Sequence, residues 1–208
     1  MIAYPTRTIS VTATPINIRK TPAFANDPAA YPVTFSVIRY ASGGATIEVL
    51  GGSPFATGTL TFVTNPEAAE TIAVNGVTFT FVAGNSGATD VHIGATKEET
   101  ALELVNVLNA SASGSVNVAT YSVANGGTVV TITYDAAGTT GNSFTLANSS
   151  GTVAVTRSAA TLLGGQAYGN GQLINADADF TDADQSLTRY IVASGAGPTS
   201  VYVTDYRS

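Results

Sequence analysis

The chain has 208 residues, enough for one or two domains, with 44% hydrophobic and only 11% charged residues. Its formal net charge is −6 and its sequence pI about 4.5, and no basic cluster is denser than Arg19-Lys20, so nucleic acid is not an expected partner. There is no cysteine, which excludes a disulfide framework and a Cys-based zinc site, and no apolar run approaches the roughly 18 residues that span a bilayer, so no membrane partner is expected. The first residues, MIAYPTRTISVTATPINIRK, lack a charged stretch followed by an apolar one, so no secretory signal is expected.

Strands dominate the reading. TISVTATPI sets Ile9, Val11 and Ala13 against Thr8, Ser10 and Thr12, the period of a half-buried strand. Residues 16–32 follow without clear periodicity. With Pro15, Pro22, Pro28 and Pro32 in and around them, they read as a long loop or arm. VTFSVIRY and ATIEVLGG are the next strands, the latter stopped by Gly51-Gly52. GTLTFVT comes next, then ETIAVNGVTFTFVA, in which Asn75-Gly76 between Thr71–Val74 and Val77–Val82 is a two-residue hairpin signal. After DVHIG comes the one convincing helix, about residues 97–109. Thr96 and Glu99 form a capping box at its start. Ala101, Leu102, Leu104, Val105 and Leu108 make an apolar stripe for packing on a sheet. VNVATYSV and TVVTITYDA flank Asn125-Gly126-Gly127 as a second hairpin. SFTLAN and TVAVTRS, joined by a turn at Ser149-Ser150-Gly151, finish this segment. Beyond Gly164-Gly165 the clear strands are SLTRYIVA and TSVYVTD.

The outer pieces hold too few strands to close separate cores. The expectation is therefore a mainly β protein in two domains. Residues 1–55 and 167–208 together build a discontinuous β-sandwich, jelly-roll-like, with an N-terminal arm. Residues 56–166 form an inserted α+β domain with one helix, a kind of insertion that surface turns tolerate well.

GTLTF, the hairpin ending NGVTFTFV, the helix IGATKEETALELVNVLNA and the turn-plus-strand AAGTTGNSFTLA carry a resemblance across about half of the chain. That segment resembles an α+β insertion module of tailed-bacteriophage tail and head-surface proteins. ISVTATPI, IEVLGG and SLTRYIVASGAGPTSVYVTD match more loosely a small phage β-sandwich pattern. The resemblance implies a non-enzymatic virion structural protein, most like a capsid decoration, or cement, protein. It would bind the major capsid protein on the capsid exterior, after synthesis in the bacterial host cytoplasm, and stabilise the head lattice as a homo-oligomer, with a homotrimer favoured. The proline-spaced segment would then be an arm over neighbouring subunits. The alternatives are a tail or head-tail connector component, and a host-surface or carbohydrate-binding adhesion module.

No residue pattern assembles catalytic chemistry, and no cofactor is implied. His92, the only histidine, lies opposite Val91 and Ile93 in its strand and reads as a solvent-facing or hydrogen-bonded residue. Gly84-Asn85-Ser86-Gly87 lacks the nucleophile-elbow pattern. Glu67, Glu70, Glu98, Glu99 and Glu103 include possible carboxylate pairs for glycoside cleavage, but the helical ones fit helix support better. Tyr31, Tyr40, Tyr121, Tyr134, Tyr168, Tyr190, Tyr202 and Tyr206 are the aromatics available to stack on sugars. Asp177, Asp179, Asp182 and Asp184 are weak Ca²⁺ candidates: alternating carboxylates suit calcium, but the EF-hand glycine and the closing glutamate are absent, and a solvated acidic turn fits better. Asn109-Ala110-Ser111 and Asn148-Ser149-Ser150 match the N-glycosylation pattern by chance.

Overall fold

The computed structural model describes residues 2–3, 6–17, 35–42, 46–50, 53–84, 87–148, 154–167, 171–174, 180–182, 190–194 and 199–207. Over these residues the protein is mainly β with one α-helix, and that helix is too short to cross a membrane. The chain divides into two compact units, one made of Met1–Pro54 with Gln166–Ser208 and one of Phe55–Gly165. The first contributes β1 (Ile2–Ala3), β2 (Arg7–Val11), β3 (Ile16–Asn17), β4 (Phe35–Ser42) and β5 (Ile47–Leu50) before the crossing. The second holds β6 (Thr57–Phe62), β7 (Thr71–Val74), β8 (Val77–Val82), β9 (Asp90–His92), α1 (Lys97–Asn109), β10 (Ala119–Val123), β11 (Val129–Tyr134), β12 (Leu146–Asn148) and β13 (Val155–Arg157). The chain then returns as β14 (Gly171–Ile174), β15 (Phe180–Asp182), β16 (Tyr190–Ala193) and β17 (Thr199–Arg207).

In the unit built from both chain ends, β17 is the organising strand. It pairs antiparallel with β4 on one side and with β2, then β1, on the other. Ile2 lies opposite Arg207, so the first and last strands close the same sheet. A second sheet runs in the order β14-β5-β16-β3. Ile9, Val11, Ile38, Val201 and Val203 from the first sheet share one core with Ile47, Val49, Ile174, Ile191 and Ala193 from the second. That sharing is sandwich-like, with apolar positions recurring at every second residue. β5 and β16 are buried at every position, Glu48 included, so neither shows an exposed polar face.

Three details differ from the sequence reading of this unit. The alternation in TISVTATPI stops at Val11, and Ala13 is exposed in a bend. Thr14 N–H donates to Thr12 Oγ1 (3.3 Å), a local side-chain turn that competes with strand continuation. β14 and β15 are additional to the two strands expected after Gly165; each is too short to show a period. Of the proline-spaced stretch, only its first two residues, Ile16–Asn17, are described, as β3; the rest of the expected arm lies outside the described residues.

The central unit has two four-stranded sheets, β10-β11-β6-β13 and β12-β7-β8-β9. Asn75 and Gly76 take φ of 46° and 84°, as a type I′ turn requires, and join β7 to β8 with Val74 opposite Val77. β9 then runs parallel to β8. The capping box forms: Glu99 N–H donates to Thr96 Oγ1, and the Glu99 carboxylate accepts from Thr96 N–H. One core gathers Leu60, Phe62, Val130 and Ile132, Ile72, Val74, Phe79 and Phe81, and the helical Ala101, Leu104, Val105 and Leu108. The rings of Phe62 and Phe81 meet edge-on, 6.0 Å apart.

Leu102 is not in the expected stripe. It is 53% exposed, while Thr100 is fully buried. At 100° per residue Leu102 lies well off the face centred between Ala101, Leu104 and Leu108. The described parts of SFTLAN and TVAVTRS lie in different sheets. β12 joins β7, with Leu146 opposite Val74, and β13 joins β6, with Val155 opposite Phe62. Each run satisfies its alternation in either sheet, so the pattern alone does not choose between them.

The entry and exit of this unit are adjacent. Thr57 and Leu163 exchange two backbone hydrogen bonds (2.8 and 2.9 Å). The Asn142 carboxamide bonds both the N–H and the C=O of Gly165 (2.9 and 3.0 Å). Gly138, at φ 113°, turns the chain into the 3-10 segment Thr139–Ser143.

Candidate docking face

The strands of the first central sheet alternate strictly. In β6, Gly58, Leu60 and Phe62 are buried, so Thr57, Thr59 and Thr61 point outward. In β11, Val130 and Ile132 point in, and Val129, Thr131 and Thr133 point out. Thr120 and Ser122 of β10 and Thr156 of β13 complete the outer face. Strand register aligns these residues into rows across the sheet. Thr120 stands beside Thr133, Thr57 and Leu163, Ser122 beside Thr131 and Thr59, and Val129 beside Thr61 and Thr156.

No charged side chain belongs to these rows. Asp135 stands at one corner, where its carboxylate accepts from Thr120 Oγ1 (2.7 Å). Six large apolar side chains are exposed among the described residues; of these Val129 lies in β11 of this sheet, Leu163 bridges β6 at Thr57, and Val63 directly follows β6. Threonine methyls beside valine and leucine make a surface that loses little on desolvation, while the hydroxyls keep it wettable. With strands ~4.8 Å apart and residues ~3.3 Å apart, four strands of five, six, six and three residues span roughly 300 Å². That is well under half of the ~800 Å² that each partner gives to a stable two-body interface. A face of this size suits a contact that is repeated many times.

Among the described residues, those singled out by chemistry are not brought together. His92 is exposed at the end of β9, on the face opposite Val91. Glu99 is engaged at the helix start, accepting from Ala95 N–H (2.8 Å) as well as from Thr96. Glu70 accepts from Glu67 N–H (2.9 Å). Glu98 and Glu103 lie half-buried on α1. Tyr121 is buried, and its hydroxyl donates to Val116 O (2.8 Å); burial, with the nearby Asp135 carboxylate adding, pushes its pKa well above the ordinary phenol value. Tyr134 packs edge-on against Phe144, Tyr190 is buried, and Tyr206 is half-buried, whereas Tyr202 is exposed. Tyr40 lies in β4, and Tyr31 and Tyr168 lie outside the described residues.

Asp182 is the last residue of β15, opposite Ser36. Asp177, Asp179 and Asp184 lie outside the described residues, as do Asn85 and Ser86 of the glycine-flanked loop and Ser149 and Ser150 of the second glycosylation pattern. Among the described residues, no three of His, Cys, Asp and Glu stand close enough to share a metal ion.

The docking face was not singled out from sequence. The T-x-T alternations of TLT and TIT were legible, but their alignment into rows depends on β6 pairing with β11, which is not its neighbour in sequence. Comparison with protein-family models, with curated proteins and with solved structures finds no match to this chain.

Proposed function

We propose that this protein is a non-enzymatic structural component of a tailed-phage virion, a decoration protein that binds the major capsid protein and stabilises the head lattice as a homo-oligomer, favoured as a trimer. The uncharged Thr/Val/Leu face of the β10-β11-β6-β13 sheet is the observation that carries this reading. With only 11% charged residues, the chain offers surface on which a partner docks without desolvating charge. This face is such a place, and its small area fits a lattice, where oligomerisation multiplies weak contacts. The phage-like motifs of the same unit, GTLTF, NGVTFTFV and AAGTTGNSFTLA, support the particle assignment.

Purified protein is mixed with undecorated heads, which are then pelleted and their bound copies counted. Saturation at hundreds of copies per head is expected, and Thr57→Lys with Ser122→Lys, both exposed and in different rows of the face, lowers the apparent affinity at least ten-fold without changing the protein's melting point. Wild-type protein that leaves heads bare overturns the decoration reading. Full binding by the double variant overturns the role of this face.

A further inference from the structure

An open sheet edge is a template for pairing with another chain, and proteins that stay discrete close such edges. β10 is an edge strand of its sheet. Val118 O accepts from Asp135 N–H on the β11 side, so Tyr121, three residues on, turns its N–H and C=O away from β11. Asn109, the last residue of α1, meets both groups. Tyr121 N–H donates to Asn109 Oδ1 (3.2 Å), and Asn109 Nδ2 donates to Tyr121 O (2.9 Å). One carboxamide thus reproduces the two hydrogen bonds that a neighbouring antiparallel strand would make with that residue. Two residues earlier, Ala119 N–H turns back to Val116 O (3.4 Å).

The β12 edge of the other sheet is covered by backbone hydrogen bonds. On the far side of β12, Leu146 N–H donates to Ala160 O (2.8 Å) and Leu162 N–H donates to Phe144 O (3.0 Å). On β10 the guard matters more, because the strand reads Ala-Thr-Tyr-Ser-Val. It has no charge, no proline and no glycine, which is the composition that pairs edge to edge.

We propose that Asn109 is an edge guard: its carboxamide occupies the outward hydrogen-bonding site of β10 and keeps that strand from pairing with β10 of a second copy. This inference is independent of the decoration reading. It also gives the carboxamide of the Asn109-Ala110-Ser111 pattern a structural task. A second copy is the occupant excluded, because an antiparallel pair about a two-fold axis near Tyr121 sets one uncharged strand against the same strand.

The test uses the full chain with Asn109→Ala, Asn109→Asp, and Asn109→Ala combined with Ser122→Lys. Amide exchange at Tyr121 and sedimentation over a concentration series are the readouts. Asn109→Ala is expected to speed Tyr121 exchange at least ten-fold and to add species larger than the wild type's, growing with concentration. Asn109→Asp keeps the acceptor and loses the donor, so its effect is expected to fall between the two. Ser122→Lys sets like charges near each other across the proposed pair and is expected to remove the added species while Tyr121 exchange stays fast. The wild-type size distribution for Asn109→Ala, with Tyr121 exchange raised, overturns the proposal. So do added species that persist in the double variant together with fast exchange at Phe79 and Phe81, because these report general unfolding of the unit.

Discussion

Thr100→Val is the sharpest test of how the helix is fixed in the central unit. Thr100 is fully buried in the first turns of α1, and its hydroxyl belongs to a closed ring. Gly94 N–H donates to Thr100 Oγ1 (2.9 Å), Thr100 Oγ1 donates to Asn65 Oδ1 (2.7 Å), and Asn65 Nδ2 donates to Gly94 O (2.9 Å). The ring ties the loop after β6 to the turn before the helix. Valine keeps the shape and removes the hydroxyl, which leaves Gly94 N–H and Asn65 Oδ1 without this partner. Two neutral hydrogen bonds at about 1 kcal/mol each, plus part of the penalty for unpaired groups, give a loss of about 2–3 kcal/mol. For a unit of roughly 110 residues, at about 4 °C per kcal/mol, the melting point falls by about 8–12 °C. Thr100→Ser keeps the ring and loses one methyl, so it costs about 1 kcal/mol. Amide exchange at Phe79 and Phe81 in the full chain reads the opening of this unit separately from the other. If Thr100→Val matches wild type while Thr100→Ser is the weaker protein, methyl packing rather than the ring holds the helix, and the argument fails.

Two glycines separate backbone strain from crowding. A Cβ at Gly76 meets nothing within 4 Å, but φ is 84°, so Gly76→Ala is expected to cost about 1 kcal/mol through conformation alone. A Cβ at Gly141 stands 2.7 Å from Tyr134 Cβ and 2.8 Å from Ala56 Cβ, so Gly141→Ala forces those neighbours apart at about 1–3 kcal/mol; urea unfolding that ranks Gly76→Ala as the costlier change refutes this. Tyr121 gives a pH dependence. Burial holds its folded pKa above the unfolded value of about 10, so the folded state keeps the proton longer. Its contribution to stability is complete below pH about 10 and shrinks as pH rises beyond that, because the unfolded chain then ionises more readily. Alkaline titration of phenolate absorbance, with exchange at Phe79, checks it: Tyr121 ionising in the folded protein near pH 10, with stability unchanged through that range, refutes the assignment.

Where local chemistry decided the outcome, the sequence was legible. Asn-Gly at 75–76 admits two consecutive left-handed residues, and the hairpin lies there with Val74 opposite Val77. Thr96 and Glu99 mark a helix start by chemistry that needs only four residues, and α1 begins at Lys97. Legibility ended where the choice depended on distant partners. SFTLAN and TVAVTRS entered different sheets because Leu146 and Val155 found buried neighbours in different layers. Leu102 was grouped with the core by its side chain alone, while the buried place at Thr100 depends on Asn65, far away in sequence.

The docking face and the edge guard stayed hidden for the same physical reason. A threonine in a strand has ordinary β propensity, and TLT or TIT specifies nothing beyond alternation. The face exists because β6, from the start of the unit, lies between β11 and β13, from its end. That arrangement adds Thr57, Thr59 and Thr61 to the rows of Thr131 and Thr133, and it leaves β10 as an edge. A strand placed at an edge by long-range pairing needs a closure from whatever lies beside it, and here that is the last residue of the helix. The uncharged face and the guarded edge therefore share one topological cause. The pairing that gathers a surface suited to docking also creates the strand end that has to be kept from docking indiscriminately.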